Sequence, residues 1–164
     1  QGNILTGYSK MTHGAMLLMR ITDLPLAQDY LRGLDLTTEG ADTPDVTLNL
    51  GLTYRGLEKL GVPDDDLEKL PFEFRQGMDA RAGWLGDLGP NHPSRWRLPK
   101  RNWPPERGAQ DLRVRLSSVD FVIQLQTSRP DASGNDHVFG PDHPLYDWIV
   151  DRFRDVERLS LIHI

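Results

Sequence analysis

The chain has 164 residues, a length that suffices for one domain with a hydrophobic core. Its net charge of −5 provides no basic field that would attract nucleic acid or anionic lipid, and no apolar run of about 18 residues could cross a membrane. The absence of cysteine excludes a disulfide framework, a cysteine nucleophile and a thiolate metal site.

The first part of the chain predicts a strand, a helix and a second strand. Ala15–Thr22 is apolar on both faces, as is typical of a central strand that is covered on two sides. Leu24–Leu36 predicts a short amphipathic helix. Val46–Thr53 alternates in the manner of a half-buried strand. The apolar stripe of the helix comprises Leu26, Tyr30, Leu31 and Leu34, and the apolar face of the second strand comprises Val46, Leu48, Leu50 and Leu52.

Short helices and an irregular loop are predicted next. Thr53 is the predicted N-cap of a helix that turns Leu57 and Leu60 inward and ends at Gly61 and Pro63. Residues 64–87 predict further short helical pieces. Residues 84–117 form an insertion rich in proline, arginine and tryptophan, and its prolines and glycines indicate irregular structure.

A third strand and the clearest helix of the chain follow. Val119–Thr127 alternates again, and residues 142–158 predict a helix with Asp142 as its N-cap and Pro144 in its first turn. The apolar face of the strand comprises Val119, Phe121, Ile123 and Leu125, and that of the helix comprises Leu145, Trp148, Ile149, Phe153 and Val156.

This order of elements predicts an α+β fold. Strand, helix, strand, helical insertion, strand and helix together indicate a ferredoxin-like β-α-β-β-α-β arrangement, with helices on one face of an antiparallel sheet. The final segment, Leu159–Ile164, stands where the last strand is expected, but no turn residue separates it from the preceding helix. We therefore expect a ferredoxin-like sheet that is truncated before its last strand.

Histidines and carboxylates are the obvious candidate metal ligands. None of the five histidines, His13, His92, His137, His143 and His163, has a recognisable metal-ligand spacing. The pairs Asp136–His137 and Asp142–His143 could coordinate a metal, but turn residues and a helix N-cap are the favoured interpretation. Residues 64–66 are three aspartates, which could bind calcium but more simply begin a helix.

The insertion interleaves basic and aromatic residues, as the grooves that bind single-stranded nucleic acid do. The residues concerned are Arg95, Trp96, Arg97, Lys100, Arg101, Trp103 and Arg107. The alternative is a surface loop whose tryptophans attach it to the domain, and the net acidity of the chain favours this alternative. Nucleotide-binding glycine motifs and the G-x-S-x-G motif are also absent from the sequence.

Five segments, in order, resemble one protein family. They are QGNILTGY (1–8), HGAMLLMRITD (13–23), TLNLGLTYRGLEKLGVP (47–63), LPFEFRQGMDARAGWLGDLG (70–89) and DFVIQLQT (120–127). Together they resemble the N-terminal half of the dye-decolourising peroxidases, and the resemblance extends from Gln1 to about Arg158. No single segment is decisive, and the order of all five is what makes the resemblance specific.

The resemblance implies two ferredoxin-like halves with haem b bound between them, of which this chain contains the first. It implies hydrogen peroxide and a reducing dye or phenolic compound as substrates of the full-length protein. The family's chemistry rests on a distal Asp in a G-x-x-D-G motif, a distal Arg and a proximal His that ligates iron. No G-x-x-D-G occurs in this chain, so we assign no catalytic, haem-binding or metal-binding residue, and we expect all of them beyond residue 164.

The tail Leu159–Ile164 has a further interpretation. The codons CTG-TCT-CTT-ATA-CAC-ATC encode this hexapeptide and resemble a transposase-recognition end that is used to attach sequencing adapters. We therefore expect residues 1–158 to be the native N-terminal ferredoxin-like domain, residues 159–164 to be a non-native tail, and the C-terminal catalytic domain to be absent. His163 would then have no biological role. A native helix turn or strand is the alternative.

The sequence predicts a fragment of a haem-dependent peroxidase that is itself inactive. The alternative from another class is a non-enzymatic ferredoxin-like module that binds a ligand or partner through Arg95–Arg107. A homo-oligomer is possible. No signal-peptide pattern is present, which favours a cytoplasmic location, although the chain begins at Gln1 rather than Met and its native start stays open.

Overall fold

A four-stranded antiparallel sheet lies at the centre of the computed structural model, which describes residues 11–38, 46–95, 116–127, 145–153 and 161–163. Its strands are β1 (His13–Met19), β2 (Val46–Leu52), β3 (Phe121–Thr127) and β4 (Leu161–His163). Their order in the sheet is β2-β3-β1-β4, so the first and third strands are central and the second and fourth lie at the edges. The predicted α+β, ferredoxin-like fold is confirmed.

The tail adds a short fourth strand to the predicted sheet, where the sequence left a strand as the alternative to a non-native tail. Residues of β4 pair with β1 in antiparallel register, Leu17 opposite His163 and Met19 opposite Leu161. The open edge of β1 offers unpaired backbone groups, and an apolar segment satisfies them by pairing even though no turn residue precedes it. Strand β4 is only three residues long and covers one end of β1.

Five helices accompany the sheet in the described part of the chain. They are α1 (Leu24–Arg32), α2 (Tyr54–Lys59), α3 (Asp64–Leu67), α4 (Phe72–Leu85) and α5 (Tyr146–Phe153). Among the described residues, no helix is long and apolar enough to cross a membrane. Within the predicted insertion, short 3-10 turns occupy Gly89–Asn91 and Pro93–Arg95, and residues 96–115 lie outside the described residues.

Helices α1 and α5 pack on one face of the sheet, as predicted. Ala27 of α1 and Ile149 of α5 are fully buried in one cluster with side chains of three strands. The strand residues of this cluster are Ala15, Leu17, Met19, Leu48, Phe121, Ile123 and Leu125. Tyr30 packs against the cluster, and its burial raises the pKa of the phenol above the usual range for tyrosine. The alternating strands therefore point their apolar faces toward the helices.

One residue of the predicted apolar face lies on the other side. Val119 packs with Leu18 and Val122 on the face that points away from α1 and α5. The reason is local: a 3-10 turn occupies Leu116–Ser118 and β3 begins only at Phe121, so the period-two alternation does not extend back to Val119.

The ends of α2 follow the predicted signals, whereas α1, predicted over Leu24–Leu36, ends at Arg32 with Gly33 as its C-cap. Thr53 is the N-cap of α2, where its Oγ1 accepts a hydrogen bond from the Gly56 backbone N–H at 3.0 Å. Gly61, with a φ of 85°, follows α2, and Gly86, with a φ of 79°, ends α4. The predicted helix 142–158 is described only over Tyr146–Phe153, and its cap at Asp142 lies outside the described residues.

Gly56 allows helix α2 to approach the start of β3 closely. A Cβ atom at this position would lie 1.9 Å from the backbone oxygen of Asp120, well inside any allowed contact. The backbone of this strand start cannot give way easily, because the Asp120 N–H donates to Met19 O at 2.8 Å. A side chain at residue 56 would therefore push the helix away from the sheet.

We expect Gly56→Ala to lower the free energy of unfolding by about 1–3 kcal/mol, because the added methyl group overpacks a buried contact. Gly51→Ala is the matched control, since a Cβ at Gly51 meets nothing within 4 Å. Its effect should stay within about 0.5 kcal/mol. Urea denaturation followed by circular dichroism measures both, and equal effects of the two substitutions would contradict the close approach.

Candidate functional site

The described histidines do not form a metal centre. His13 Nδ1 lies 2.9 Å from Thr12 Oγ1, and His92 Nδ1 lies 3.6 Å from Asp79 Oδ1. No group of three or more metal-ligating side chains occurs among the residues that the structure describes. The two Asp-His pairs, at 136–137 and 142–143, lie outside the described residues, so their predicted role as turn and cap stays a prediction.

The three consecutive aspartates begin a helix. Asp64, Asp65 and Asp66 form the first turn of α3 and are all exposed. Asp66 Oδ1 accepts a hydrogen bond from Lys69 Nζ at 2.6 Å. Carboxylates near a helix N-terminus are stabilised by the free N–H groups of the first turn. The prediction of a solvated helix start is confirmed.

The strongest charged constellation in the described structure surrounds Asp120. This carboxylate is 0% exposed, and its Oδ2 accepts hydrogen bonds from the Ile21 backbone N–H at 2.7 Å and from Lys59 Nζ at 2.5 Å. Arg55 Nε lies 3.4 Å from Oδ1, which forms an ion pair without the geometry of a hydrogen bond. We call Asp120, Lys59, Arg55, Thr53 and Ile21 the Asp120 joint.

Backbone and hydroxyl contacts complete the joint. Thr53 Oγ1 lies 3.0 Å from Val119 O and 2.9 Å from Asp120 O, and the Thr53 N–H donates to Asp120 O at 3.0 Å. Lys59 Nζ also donates to Ile21 O at 3.2 Å, and Arg55 Nη1 donates to Ser117 O. The joint therefore connects the ends of β1 and β2, the start of β3 and helix α2.

The chemistry that this joint can perform is limited by its burial. A carboxylate without solvent exposure, neutralised by two cations, is poorly placed to exchange a proton with a substrate. Its contacts instead position four chain segments. The sequence offers one signal for it, an aspartate directly before the apolar alternation of β3, and sequence reasoning did not use that signal.

A second cluster of polar side chains lies on the sheet face that points away from α1 and α5. Thr47 and Asn49 of β2 lie opposite Gln126 and Gln124 of β3. We call these four residues the amide face. Thr47 is 0% exposed and Asn49 is 3% exposed, yet Thr47 Oγ1, Asn49 Oδ1 and Asn49 Nδ2 have no hydrogen-bond partner. Buried polar atoms in native proteins are almost always paired with protein groups or ordered water, so these three atoms are exceptions within the described structure.

The sequence predicted the direction of these side chains but not their burial. Alternation in β2 predicts that Thr47 and Asn49 point to the sheet face that Leu48 does not face, and the structure confirms this. Polar residues on alternate positions are typical of a solvated face. Their burial depends on what covers the sheet, which is a property of the tertiary structure.

Comparison with known proteins supports the fold. No protein-family model matches the chain, and no curated protein matches it. A solved structure that does match is an aspartate-to-asparagine variant of a dye-decolorizing peroxidase in complex with cyanide, with a TM-score of 0.54 and 19% sequence identity. The similarity covers 96% of this chain and 29% of that chain, so this chain spans less than a third of the peroxidase it resembles.

A threonine substitution in the Asp120 joint and one in the amide face should change the free energy of unfolding in opposite directions. Thr53→Val removes a hydroxyl with three hydrogen-bond contacts, and we expect it to lower the free energy of unfolding by about 1–2 kcal/mol. Thr47→Val makes the same change where the hydroxyl has no partner, and we expect it to raise the free energy of unfolding by about 1 kcal/mol. Chemical denaturation of both variants tests this. A loss of stability in Thr47→Val would show that the Thr47 hydroxyl does have a hydrogen-bond partner.

Removing the negative charge of Asp120 should lower the free energy of unfolding. Asp120→Asn keeps the size of the side chain but leaves Lys59 and Arg55 without their anion, and we expect a loss of about 3 kcal/mol. Asp66→Asn, which breaks an exposed pair with Lys69, is the control and should cost less than about 1 kcal/mol. Similar denaturation midpoints for the two variants would show that the joint contributes no more than a surface ion pair.

Proposed function

We propose that residues 1–158 are the N-terminal ferredoxin-like half of a haem peroxidase of the dye-decolourising type. The full-length protein would use hydrogen peroxide to oxidise dyes and phenolic compounds, and this half would be inactive by itself. The observation that carries the proposal is a fold match over 96% of the chain, to a protein of which it spans 29%. Ferredoxin-like folds have many functions, so the five ordered sequence segments supply the rest of the support.

Haem does not fit the residues that the structure describes. A haem iron needs an axial ligand within a pocket that controls polarity and access. The described side chains of His13 and His92 have polar neighbours instead, Thr12 and Asp79. We therefore propose that haem b and its distal Asp, distal Arg and proximal His belong to the part of the longer protein beyond this chain.

One surface feature supports a further layer of protein in the longer chain. Helix α4 and the residues after it expose several large apolar side chains, which mark contact surfaces in folded proteins. They are Phe72, Phe74, Met78, Trp84, Leu85 and Leu88.

The proposed non-native origin of residues 159–164 is compatible with the pairing of β4. Strand pairing uses backbone groups, and any extended apolar segment of suitable length can supply them. Leu161–His163 would then substitute for the native last strand beside β1. We further propose that the longer protein is cytoplasmic.

Recovery of the gene, with sequencing past codon 158, is the first test of the proposal. We expect an encoded second half that contains G-x-x-D-G, a later histidine and an arginine. The longer protein should then show a haem Soret band and peroxide-dependent dye oxidation, while residues 1–158 alone show no dye oxidation. A native stop codon directly after Ile164 would contradict the peroxidase proposal. The binding module that uses Arg95–Arg107 would then be the function to test.

A further inference from the structure

Helix α4 exposes apolar side chains where surface helices usually expose polar ones. A surface helix of a globular protein normally turns its apolar residues toward the core and its polar residues toward water. In α4 the one buried residue is the small Ala82, whereas Trp84 is 91% exposed. The other exposed apolar residues of the helix are Phe72, Phe74, Met78 and Leu85. The apolar side chains of α4 are therefore only partly covered by this domain, and Trp84 is hardly covered at all.

The charges on α4 cancel, which limits the kind of partner that it can bind. Two acidic residues, Glu73 and Asp79, balance two basic residues, Arg75 and Arg81. A nucleic acid or an anionic membrane binds through a surplus of basic residues, which this helix lacks. Aromatic residues, methionine and arginine are enriched in protein–protein contacts. The helix therefore suits an apolar, uncharged protein surface.

Local contacts order the surface of α4 before any partner binds. The Arg75 guanidinium carbon lies 6.0 Å from the centre of the Phe72 ring, within the range of a cation–π contact. The Asp87 N–H donates to Ala82 O at 2.9 Å and closes the last turn of the helix, which carries Trp84. Side chains on an ordered helix lose less conformational freedom on binding than side chains on a loose loop.

We propose that Trp84 anchors this domain to the second half of the longer protein by entering an apolar, uncharged pocket there. The inference rests on the proposed function, which assigns that second half. One face of the 14-residue helix measures roughly 20 by 10 Å, whereas a stable contact with a free partner requires about 800 Å² on each side. A covalently linked partner has a high effective concentration, so a small contact centred on one tryptophan suffices.

The test compares the 164-residue chain with the longer protein that the recovered gene encodes. Hydroxyl-radical footprinting by X-ray radiolysis, with mass spectrometry, measures the oxidation rate of each side chain. We expect Trp84 to be oxidised about fivefold more slowly in the longer protein, because its pocket excludes water. Leu24 of α1, which is 39% exposed, is the internal reference and should react at the same rate in both proteins.

Two substitutions distinguish an anchor from a side chain without a partner. In the longer protein, Trp84→Glu should raise the oxidation rate of Met78 to its value in the 164-residue chain, because a carboxylate does not enter an apolar pocket. Trp84→Phe should leave Met78 protected. In the 164-residue chain neither substitution should change the urea midpoint, since Trp84 contacts little of this domain.

Equal oxidation of Trp84 in the two proteins would overturn the inference and leave the peroxidase proposal standing, because the Soret band and dye oxidation test that proposal separately. Slow oxidation of Trp84 relative to Leu24 in the 164-residue chain would also overturn it. The cover would then be a segment of this chain if the protection is independent of concentration, and a second copy if it grows with concentration. A native stop codon directly after Ile164 would overturn both proposals.

Discussion

The buried carboxylate of Asp120 is the constraint on which the arrangement of the other elements depends. A charge without solvent contact is strongly unfavourable unless it is paired and hydrogen bonded. The Ile21 N–H, just after β1, and the Lys59 ammonium, at the end of α2, provide both. Helix α2 must therefore lie at the end of the sheet, and Gly56 makes that close position possible.

The sheet that this joint organises has two faces of different character. One face is apolar, is covered by α1 and α5, and contains the hydrophobic core. The other carries the amide face, in which Asn49 is buried but has no hydrogen-bond partner. The two faces therefore differ in how completely their buried groups are paired.

Much of the fold was predictable because its signals are local. Alternation identified β2 and β3 to within two residues of their observed ends, and Thr53 was identified as a helix cap. The pairing of the tail stayed open because no turn residue precedes β4 and its pairing depends on the open edge of β1. The Asp120 joint was missed because its members are distant in sequence, with Asp120 and Lys59 separated by 61 positions.

The amino-acid sequence by itself determined the secondary structure of most segments, the apolar faces of the strands and the family that the chain resembles. These depend on residue periodicity, capping residues and ordered motifs, which are properties of neighbouring positions. Only the tertiary structure decided that β4 pairs beside β1, that Asp120 meets Lys59, and that Asn49 is buried without a partner. Burial and long-range pairing arise when distant segments exclude water together, and no local pattern encodes which segments will meet.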